Sequence, residues 1–237
     1  MKKWVVANFK MYKTLQEVQD YSKEFLPLVS LCKNEIAVCP TYIGLKDMSE
    51  AFLGSEIHVG AQNCSTEDEG AFTGEVSAKM IKSVGADFVI VGHSERRRYY
   101  GETDEIVNKK IKAAHKVGLA VIACLADDGG EGFEENIKKQ IEVLLDGVSP
   151  SEKLIIAFEP VWAIGTGKTM QTQDIEPVVK VIKEEARKVI GYMPEVLYGG
   201  SVKVSNAAEI LALNNVDGLL VGGASKDPKE FAKICNS

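Results

Sequence analysis

Residues 154–169 read Leu-Ile-Ile-Ala-Phe-Glu-Pro-Val-Trp-Ala-Ile-Gly-Thr-Gly-Lys-Thr. This stretch is an apolar run that ends in a polar residue and a loop, and the rest of the chain is organised around it. It opens with a run of apolar residues, which predicts a buried strand. We expect the carboxylate of Glu159 at the last position of that strand, because the proline that follows cannot continue a central ladder. The residues after Glu159 form a stiff Pro-Val-Trp step, a Gly-Thr-Gly tip and a second step, Lys-Thr-Met. This arrangement predicts a loop that moves as one piece. A glutamate beneath such a lid is suited to general-base catalysis away from water.

Three other interpretations of this stretch are weaker. Gly-Lys-Thr at 167–169 resembles the end of a P-loop, but the first glycine of that motif falls on Trp162. Gly-Thr-Gly at 165–167 could open a dinucleotide fingerprint, but its third glycine falls on Met170. An ordinary surface loop with a solvated glutamate is the third alternative, and the apolar side chains of Trp162 and Ile164 suit it poorly.

Strand-like and helix-like runs alternate from one end of the chain to the other. The strand-like runs cover 4–9, 36–39, 58–62, 87–92, 119–124, 154–158, 195–198 and 218–222. The helix-like runs cover 14–31, 44–53, 77–84, 104–117, 132–145, 173–190, 205–213 and 228–235. Strict alternation requires a parallel sheet, and strands that are apolar at nearly every position are buried on both faces.

Eight such units in 237 residues predict an α/β protein with one domain, a closed (β/α)8 barrel over residues 1–237. A doubly wound open sheet is the alternative, but it places its site at one switch point between strands. Here polar residues follow the first, fourth, fifth, sixth, seventh and eighth strands, and a ring of strands brings all of those loops to one mouth.

The composition narrows the class of protein. The chain is 45% hydrophobic and 26% charged, which suits a compact domain with a sizeable core. A net charge of −6 gives no attraction to nucleic acid or to an anionic membrane surface, and no apolar run approaches the roughly 20 residues of a membrane span. Five cysteines without a Cys-x-x-Cys pair predict reduced thiols in a cytoplasmic protein, and three histidines without ligand spacing predict no metal site.

Three kinds of residue at the predicted strand ends could carry chemistry. Lys10 follows the first strand, although a lysine there is more often a surface residue whose charged end reaches solvent. His93 stands at the tip of the fourth strand before a short helix, where it could be a cap and no more. A helix N-terminus lowers the pKa of a histidine, which would keep the ring neutral and able to donate a hydrogen bond. Paired glycines at 199–200 and 222–223 could simply make turns, or could expose N–H groups to a phosphate.

Six motifs then occur in one order: Asn-x-Lys-Met at 8–11, Gly-Ala-Gln-Asn at 60–63, Gly-His-Ser-Glu-Arg-Arg at 92–97, Glu-Pro-Val-Trp-Ala-Ile-Gly-Thr-Gly at 159–167, Tyr-Gly-Gly-Ser at 198–201 and Val-Gly-Gly-Ala-Ser at 221–225. In order and spacing, along essentially the whole chain, the sequence resembles the triosephosphate isomerase family. The resemblance implies a TIM barrel enzyme of glycolysis and gluconeogenesis. It would interconvert dihydroxyacetone phosphate and D-glyceraldehyde 3-phosphate through a cis-enediolate, with no metal and no organic cofactor.

The resemblance also implies roles for five residues. Glu159 would move the proton between C1 and C2, and a neutral His93 would polarise the carbonyl and shuttle protons between the oxygens. Lys10 would stabilise negative charge, Asn8 would position the substrate oxygens, and Glu95 would support Lys10.

The resemblance further implies a phosphate site, a lid and a second subunit. Backbone N–H groups of Gly165, Ser201 and Gly223 would hold the phosphate, with Gly222 shaping the approach. Loop 63–76 would dock into a second subunit, where Thr73 would steady the partner's site, so we expect a homodimer. The lid would consist of Pro160, Val161, Trp162, Ala163, Ile164, Gly165, Thr166, Gly167, Lys168, Thr169 and Met170.

The chain departs from the family pattern beside the predicted lid. Phe158 stands in place of a tyrosine and Asp127 in place of a glutamate, the two family residues that hold the lid tryptophan, here Trp162. We hypothesise that this weakens the anchoring of the open lid. Met170 replaces a small residue at the second hinge, and Tyr12 replaces an asparagine near the subunit contact.

Two rival functions remain open at this point. Another phosphate-binding barrel enzyme, such as an aldolase, would place a Schiff-base lysine on a strand inside the mouth, whereas Lys168 lies in the predicted lid. A non-catalytic binding protein could reuse the barrel, but it would be free to lose Glu159 or His93, and both are present.

Overall fold

A computed structural model of the chain describes residues 2–127, 129, 132–149, 153–163 and 170–237. In these ranges eight parallel strands pair in sequence order, and the last strand pairs with the first, so that the sheet closes into a barrel. The strands are β1 (Trp4–Asn8), β2 (Glu35–Cys39), β3 (Ile57–Ala61), β4 (Phe88–Val91), β5 (Ala120–Asp127), β6 (Leu154–Pro160), β7 (Glu195–Tyr198) and β8 (Gly218–Val221). The prediction of a (β/α)8 barrel is confirmed.

Helices connect the strands on the outside of the barrel. Those in the described part of the chain are α1 (Leu15–Leu28), α2 (Tyr42–Ala51), α3 (Ala78–Ser83), α4 (Ser94–Tyr100), α5 (Asp104–Lys116), α6 (Phe133–Leu145), α7 (Thr172–Ile190), α8 (Ala207–Leu211) and α9 (Pro228–Cys235). The short α4 directly after His93 and the longer α5 both lie between β4 and β5. No helix in these ranges has the length and apolar character needed to cross a membrane.

The alternation of side chains along each strand explains why the strands are apolar at nearly every position. In β1, Val5 and Ala7 belong to a large core cluster shared with the helices, whereas Trp4 and Val6 belong to a smaller cluster. The smaller cluster draws its buried residues from the strands alone and fills the barrel interior. Because successive side chains point to opposite faces, both faces of every strand are buried.

The end of β6 differs from the prediction. The strand does not stop at Glu159, because Pro160 continues it and pairs with Asp127 of β5. The strand β5 also extends beyond the predicted limit of residue 124. Proline is tolerated here because it occupies the last pair of the ladder, where no further backbone N–H is needed. The β5–β6 ladder therefore reaches past Glu159 to the start of the predicted lid.

Candidate active site

Glu159 lies near the end of β6 with its carboxylate turned into the barrel mouth, where the residue is only 1% exposed. The backbone N–H of Ser94 donates to Oε2 at 2.8 Å, and His93 Nε2 lies 2.9 Å from Oε1. Burial raises the pKa of Glu159, but the adjacent His93 and the Ser94 N–H lower it, and the net shift is downward. Gly199 makes room for this side chain, since a Cβ there would lie 3.0 Å from Glu159 Cγ.

His93 follows β4 and caps the N-terminus of α4. The backbone N–H of Glu95 donates to its Nδ1 at 3.2 Å, so a neutral ring carries its hydrogen on Nε2, facing Glu159. Burial lowers the pKa of His93, but the charge and hydrogen bond of Glu159 raise it, and the net shift is upward. The predicted lowering of this pKa is therefore wrong for the observed arrangement, because the Glu159 carboxylate, with Glu95, outweighs burial and Lys10.

Lys10 adopts a left-handed backbone conformation with φ of 52°, which is uncommon outside glycine. Two amide side chains hold it there: Asn8 Oδ1 accepts from the Lys10 N–H at 2.9 Å, and Gln62 Nε2 donates to the Lys10 carbonyl at 2.9 Å. The ammonium group lies 2.6 Å from Glu95 Oε1. The expected support of Lys10 by Glu95 is present as this ion pair.

The loops after β7 and β8 carry the residues predicted to bind phosphate. Asn206 fixes the first loop by donating to the Ser201 carbonyl at 3.0 Å. Ser225 fixes the second by donating to the Gly222 carbonyl at 2.7 Å. A Cβ on Gly222 would lie 3.1 Å from Lys10 Cε, whereas a Cβ on Gly223 would meet no heavy atom within 4 Å. Gly222 therefore allows close approach of Lys10, and the backbone at Gly223 faces open space.

These strand ends meet around one cavity of about 900 Å³ at the mouth of the barrel. The residues of the predicted site that line it are Asn8, Lys10, His93, Glu95, Glu159, Ser201, Gly222 and Gly223. The cavity thus joins a buried carboxylate, an imidazole, an ammonium group and two glycine-containing loops. Such a set can take up an anionic substrate and move protons on it.

Other predicted residues lie away from this cavity or outside the described residues. Of the predicted lid, the structure describes Pro160, the 3₁₀ turn Val161–Ala163, and Met170. Ile164 to Thr169, including Gly165 of the predicted phosphate site, lie outside the described residues. Thr73 lies between β3 and α3, exposed to solvent.

Three contributors to the site were not identified from the sequence. They are the Ser94 N–H that binds Glu159, the Gln62 side chain that binds the Lys10 carbonyl, and Gly199 against Glu159. The sequence signal that could have found them is their position, because each lies within a motif at the end of a predicted strand. Within the described part of the chain, no group of three His, Cys, Asp or Glu side chains is arranged to hold a metal ion.

Comparison with known proteins places the chain among enzymes of one kind. The family model described as triosephosphate isomerase matches residues 3–237. Relatives named triosephosphate isomerase from Thermodesulfovibrio yellowstonii and Clostridium botulinum are each 43% identical, with 98% of both chains covered. A crystal structure of triosephosphate isomerase from Bartonella henselae is 34% identical and superposes with a TM-score of 0.89, covering 99% of this chain and 98% of the other.

Proposed function

Because the chain belongs to the triosephosphate isomerase family, we infer that the cavity at its barrel mouth performs the reaction of that family. The chain is an isomerase that interconverts dihydroxyacetone phosphate and D-glyceraldehyde 3-phosphate, a step of glycolysis. The observation that carries the assignment to this cavity is the buried contact of Glu159 with His93 beside Lys10. An aldolase-like enzyme or a non-catalytic binding protein is not favoured, because the family match runs over nearly the whole chain.

Glu159 is proposed as the base that moves the proton between C1 and C2. To reach a substrate carbon, its carboxylate must give up the hydrogen bonds from His93 and the Ser94 N–H. Those two groups, with the charge of Lys10, lower its pKa, while burial raises it. When the carboxylate moves away from these two groups and stays in a buried site, the pKa of the carboxyl group rises. It is then a stronger base when the substrate is present.

His93 is proposed as the hydrogen-bond donor to the substrate oxygens. Once Glu159 has moved, burial and Lys10 remain as influences that lower the pKa of the ring. The Glu95 N–H keeps Nδ1 as an acceptor, so Nε2–H faces the cavity and can donate to the developing enediolate oxygen. A neutral histidine in this role is established for the enzyme family.

Lys10 and Asn8 are proposed to stabilise the negative charge that develops on the oxygens. Lys10 Nζ is fixed by Glu95, and its backbone is fixed by Asn8 Oδ1 and by Gln62, so no rearrangement is needed as charge appears. Asn8 Oδ1 is already used by Lys10, which leaves the amide NH₂ of Asn8 for the substrate.

The phosphate is proposed to bind to backbone N–H groups of Ser201 and Gly223, with Gly222 shaping the approach and Gly165 contributing from the predicted lid. The two loops with Ser201 and Gly223 line the same cavity as Glu159. The lid over 160–170 has a chemical purpose, because an enediolate beside a phosphate ester can eliminate phosphate in water. Contacts between the lid and the phosphate would use binding energy to exclude solvent during catalysis.

A homodimer in the cytoplasm is proposed as the working form. The surface near β1 and the loop 63–76 carries exposed apolar side chains, with Met11 90% and Phe72 48% exposed. Solvent-exposed apolar groups of this size in the loops after β1 and β3 favour burial against a second subunit. Thr73 is adjacent to Phe72 and is proposed to touch the partner near its Asn8 and Lys10.

The test of the assignment is the variant Glu159→Asp, assayed in both directions of the isomerisation by a coupled assay. The variant retracts the carboxylate by one methylene, and a displacement of this size costs about a hundredfold or more in kcat. Glu135→Asp is the matched control, because Glu135 is exposed on α6 and pairs with Lys139. Absence of turnover in the wild type and both variants, with the fold intact by circular dichroism, would contradict the assigned reaction.

A further inference from the structure

Trp162 lies in the 3₁₀ turn that follows β6, two residues after Pro160. Its ring borders a second cavity of about 610 Å³, whose lining shares no residue with that of the catalytic cavity. The cavity walls are mainly apolar, with Phe133 and Phe158 in edge contact at 5.9 Å between ring centroids. Trp162 is 39% exposed, so the contacts on the covered part of its ring determine where this large side chain lies.

Gly129, in the turn between β5 and α6, is one of those contacts. A Cβ at Gly129 would lie 2.8 Å from Trp162 Cδ1, 3.2 Å from Nε1 and 3.4 Å from Cγ. The backbone of Gly129 therefore lies directly against the five-membered ring of the indole. Its φ of +77° independently favours glycine. Two separate requirements, one of space and one of backbone conformation, exclude a side chain at this position.

Gly129 is anchored to the end of the β5–β6 strand pair, which Trp162 follows. Asp127 Oδ1 accepts a hydrogen bond from the Gly129 N–H at 2.6 Å. Asp127 is itself buried and is paired with Pro160 at the end of the β5–β6 ladder. The position of Gly129 against the indole is thus fixed by the Asp127–Pro160 pair of the ladder and by the hydrogen bond from the Gly129 N–H to Asp127.

We propose that Gly129 is a positioning residue that seats the indole of Trp162 while Glu159 remains bonded to His93 and the Ser94 N–H. Gly129 acts on the reaction only through Trp162 and touches no substrate. Its effect on catalysis rests on the proposed function of the 160–170 segment as a lid. The seat itself is a property of the resting protein and can be measured without substrate.

The first experiment measures the exposure of Trp162 by acrylamide quenching of its fluorescence. The chain has two tryptophans, so a Trp4→Phe background makes Trp162 the sole reporter. The test variant is Gly129→Ala, and the matched control is Gly132→Ala. Gly132 has a similar φ of +83°, but a Cβ there meets no heavy atom within 4 Å. Both variants carry backbone strain, and only the first places a methyl group against the indole.

The expected result is a quenching constant that rises about twofold in Gly129→Ala, because the indole goes from 39% exposed towards full exposure, and stays unchanged in Gly132→Ala. In a double-mutant cycle on kcat/KM, the effect of Gly129→Ala should shrink by about threefold or more when Trp162→Phe is also present. Equal quenching in the two glycine variants, or an effect on kcat/KM that is the same with Trp162→Phe, would overturn the proposal. An inactive wild type would refute the proposed function. The quenching comparison would still show whether Gly129 positions the indole of Trp162.

Discussion

At the scale of single residues, the carboxylate of Glu159 is the main influence that raises the pKa of His93. Glu159, His93 and Lys10 were each identified from their place after a predicted strand, and all three line one cavity. The direction of the His93 pKa shift was wrong, because it depends on a carboxylate 66 positions away in the chain that lies 2.9 Å away in space. Position in a motif reports the neighbours along the chain, whereas a pKa depends on neighbours in space.

The influence of Glu159 on His93 leads to a prediction about titration. In Glu159→Gln the carboxylate charge is lost, and burial, the largest influence, and Lys10 remain to lower the pKa of the ring against the smaller raising effect of Glu95. We expect the His93 pKa, which lies above its ordinary value of 6.5 in the wild type, to fall below that value in the variant. The measurement is an NMR titration of the imidazole signals of the chain's three histidines.

The same shift determines the sign of a stability effect. Because the folded-state pKa of His93 is raised, its contribution to the free energy of unfolding is fully present below the unfolded pKa and is lost as pH rises through the folded pKa.

The control for the NMR titration is Glu135→Gln, at an exposed position on α6, which should leave the His93 titration unchanged. A His93 pKa that stays the same or rises in Glu159→Gln would show that the carboxylate is not the cause.

At the scale of elements, the alternation of apolar strands and amphipathic helices was sufficient to place all eight strands. The ends of elements were less predictable. The sequence rule that proline stops a central strand failed at Pro160, because the rule concerns the interior of a ladder and this residue forms its last pair. The longer ladder matters for the site, because it brings Gly129 beside Trp162.

Helix α9 offers a test of how local chemistry supports an element. Asp227 caps its N-terminus, and one carboxylate oxygen accepts from the N–H groups of Lys229 and Glu230, each at 2.9 Å. We expect Asp227→Ala to lower the stability by about 1–2 kcal/mol, because two N–H groups lose their acceptor. For a chain of this length that corresponds to a melting temperature lower by about 2–8 °C, measured by circular dichroism.

Two variants make the test of the cap specific. Asp227→Asn retains a side-chain oxygen that can accept the same bonds and should lose little stability. Thr41→Ala removes the N-cap residue of α2, which makes no side-chain cap bond, and should also cost little. A melting temperature equally low in Asp227→Asn and Asp227→Ala would assign the effect to charge and not to the cap.

At the scale of the whole molecule, closure of the barrel followed from counting units and from the distribution of polar residues over six strand ends. The exposed surface was harder to interpret, because a single chain does not show what covers an apolar side chain. Exposed large side chains between β1 and the end of α3 include Met11, Tyr12, Leu15, Ile43, Phe72 and Met80. Met11 directly follows Lys10, so a subunit that covers Met11 would also support the proposed catalytic lysine.

The proposed dimer is therefore expected to be coupled to activity. We predict that the wild type sediments near twice the chain mass of 25.8 kDa, and that Thr73→Arg shifts it to a monomer by placing a charge beside Phe72. Loss of support near Lys10 should then reduce kcat by about tenfold or more. Leu31→Glu is the control, because Leu31 is 91% exposed and follows α1 at the opposite end of the barrel. A wild-type monomer with full activity would contradict the dimer, and a Thr73→Arg monomer with unchanged kcat would separate assembly from catalysis.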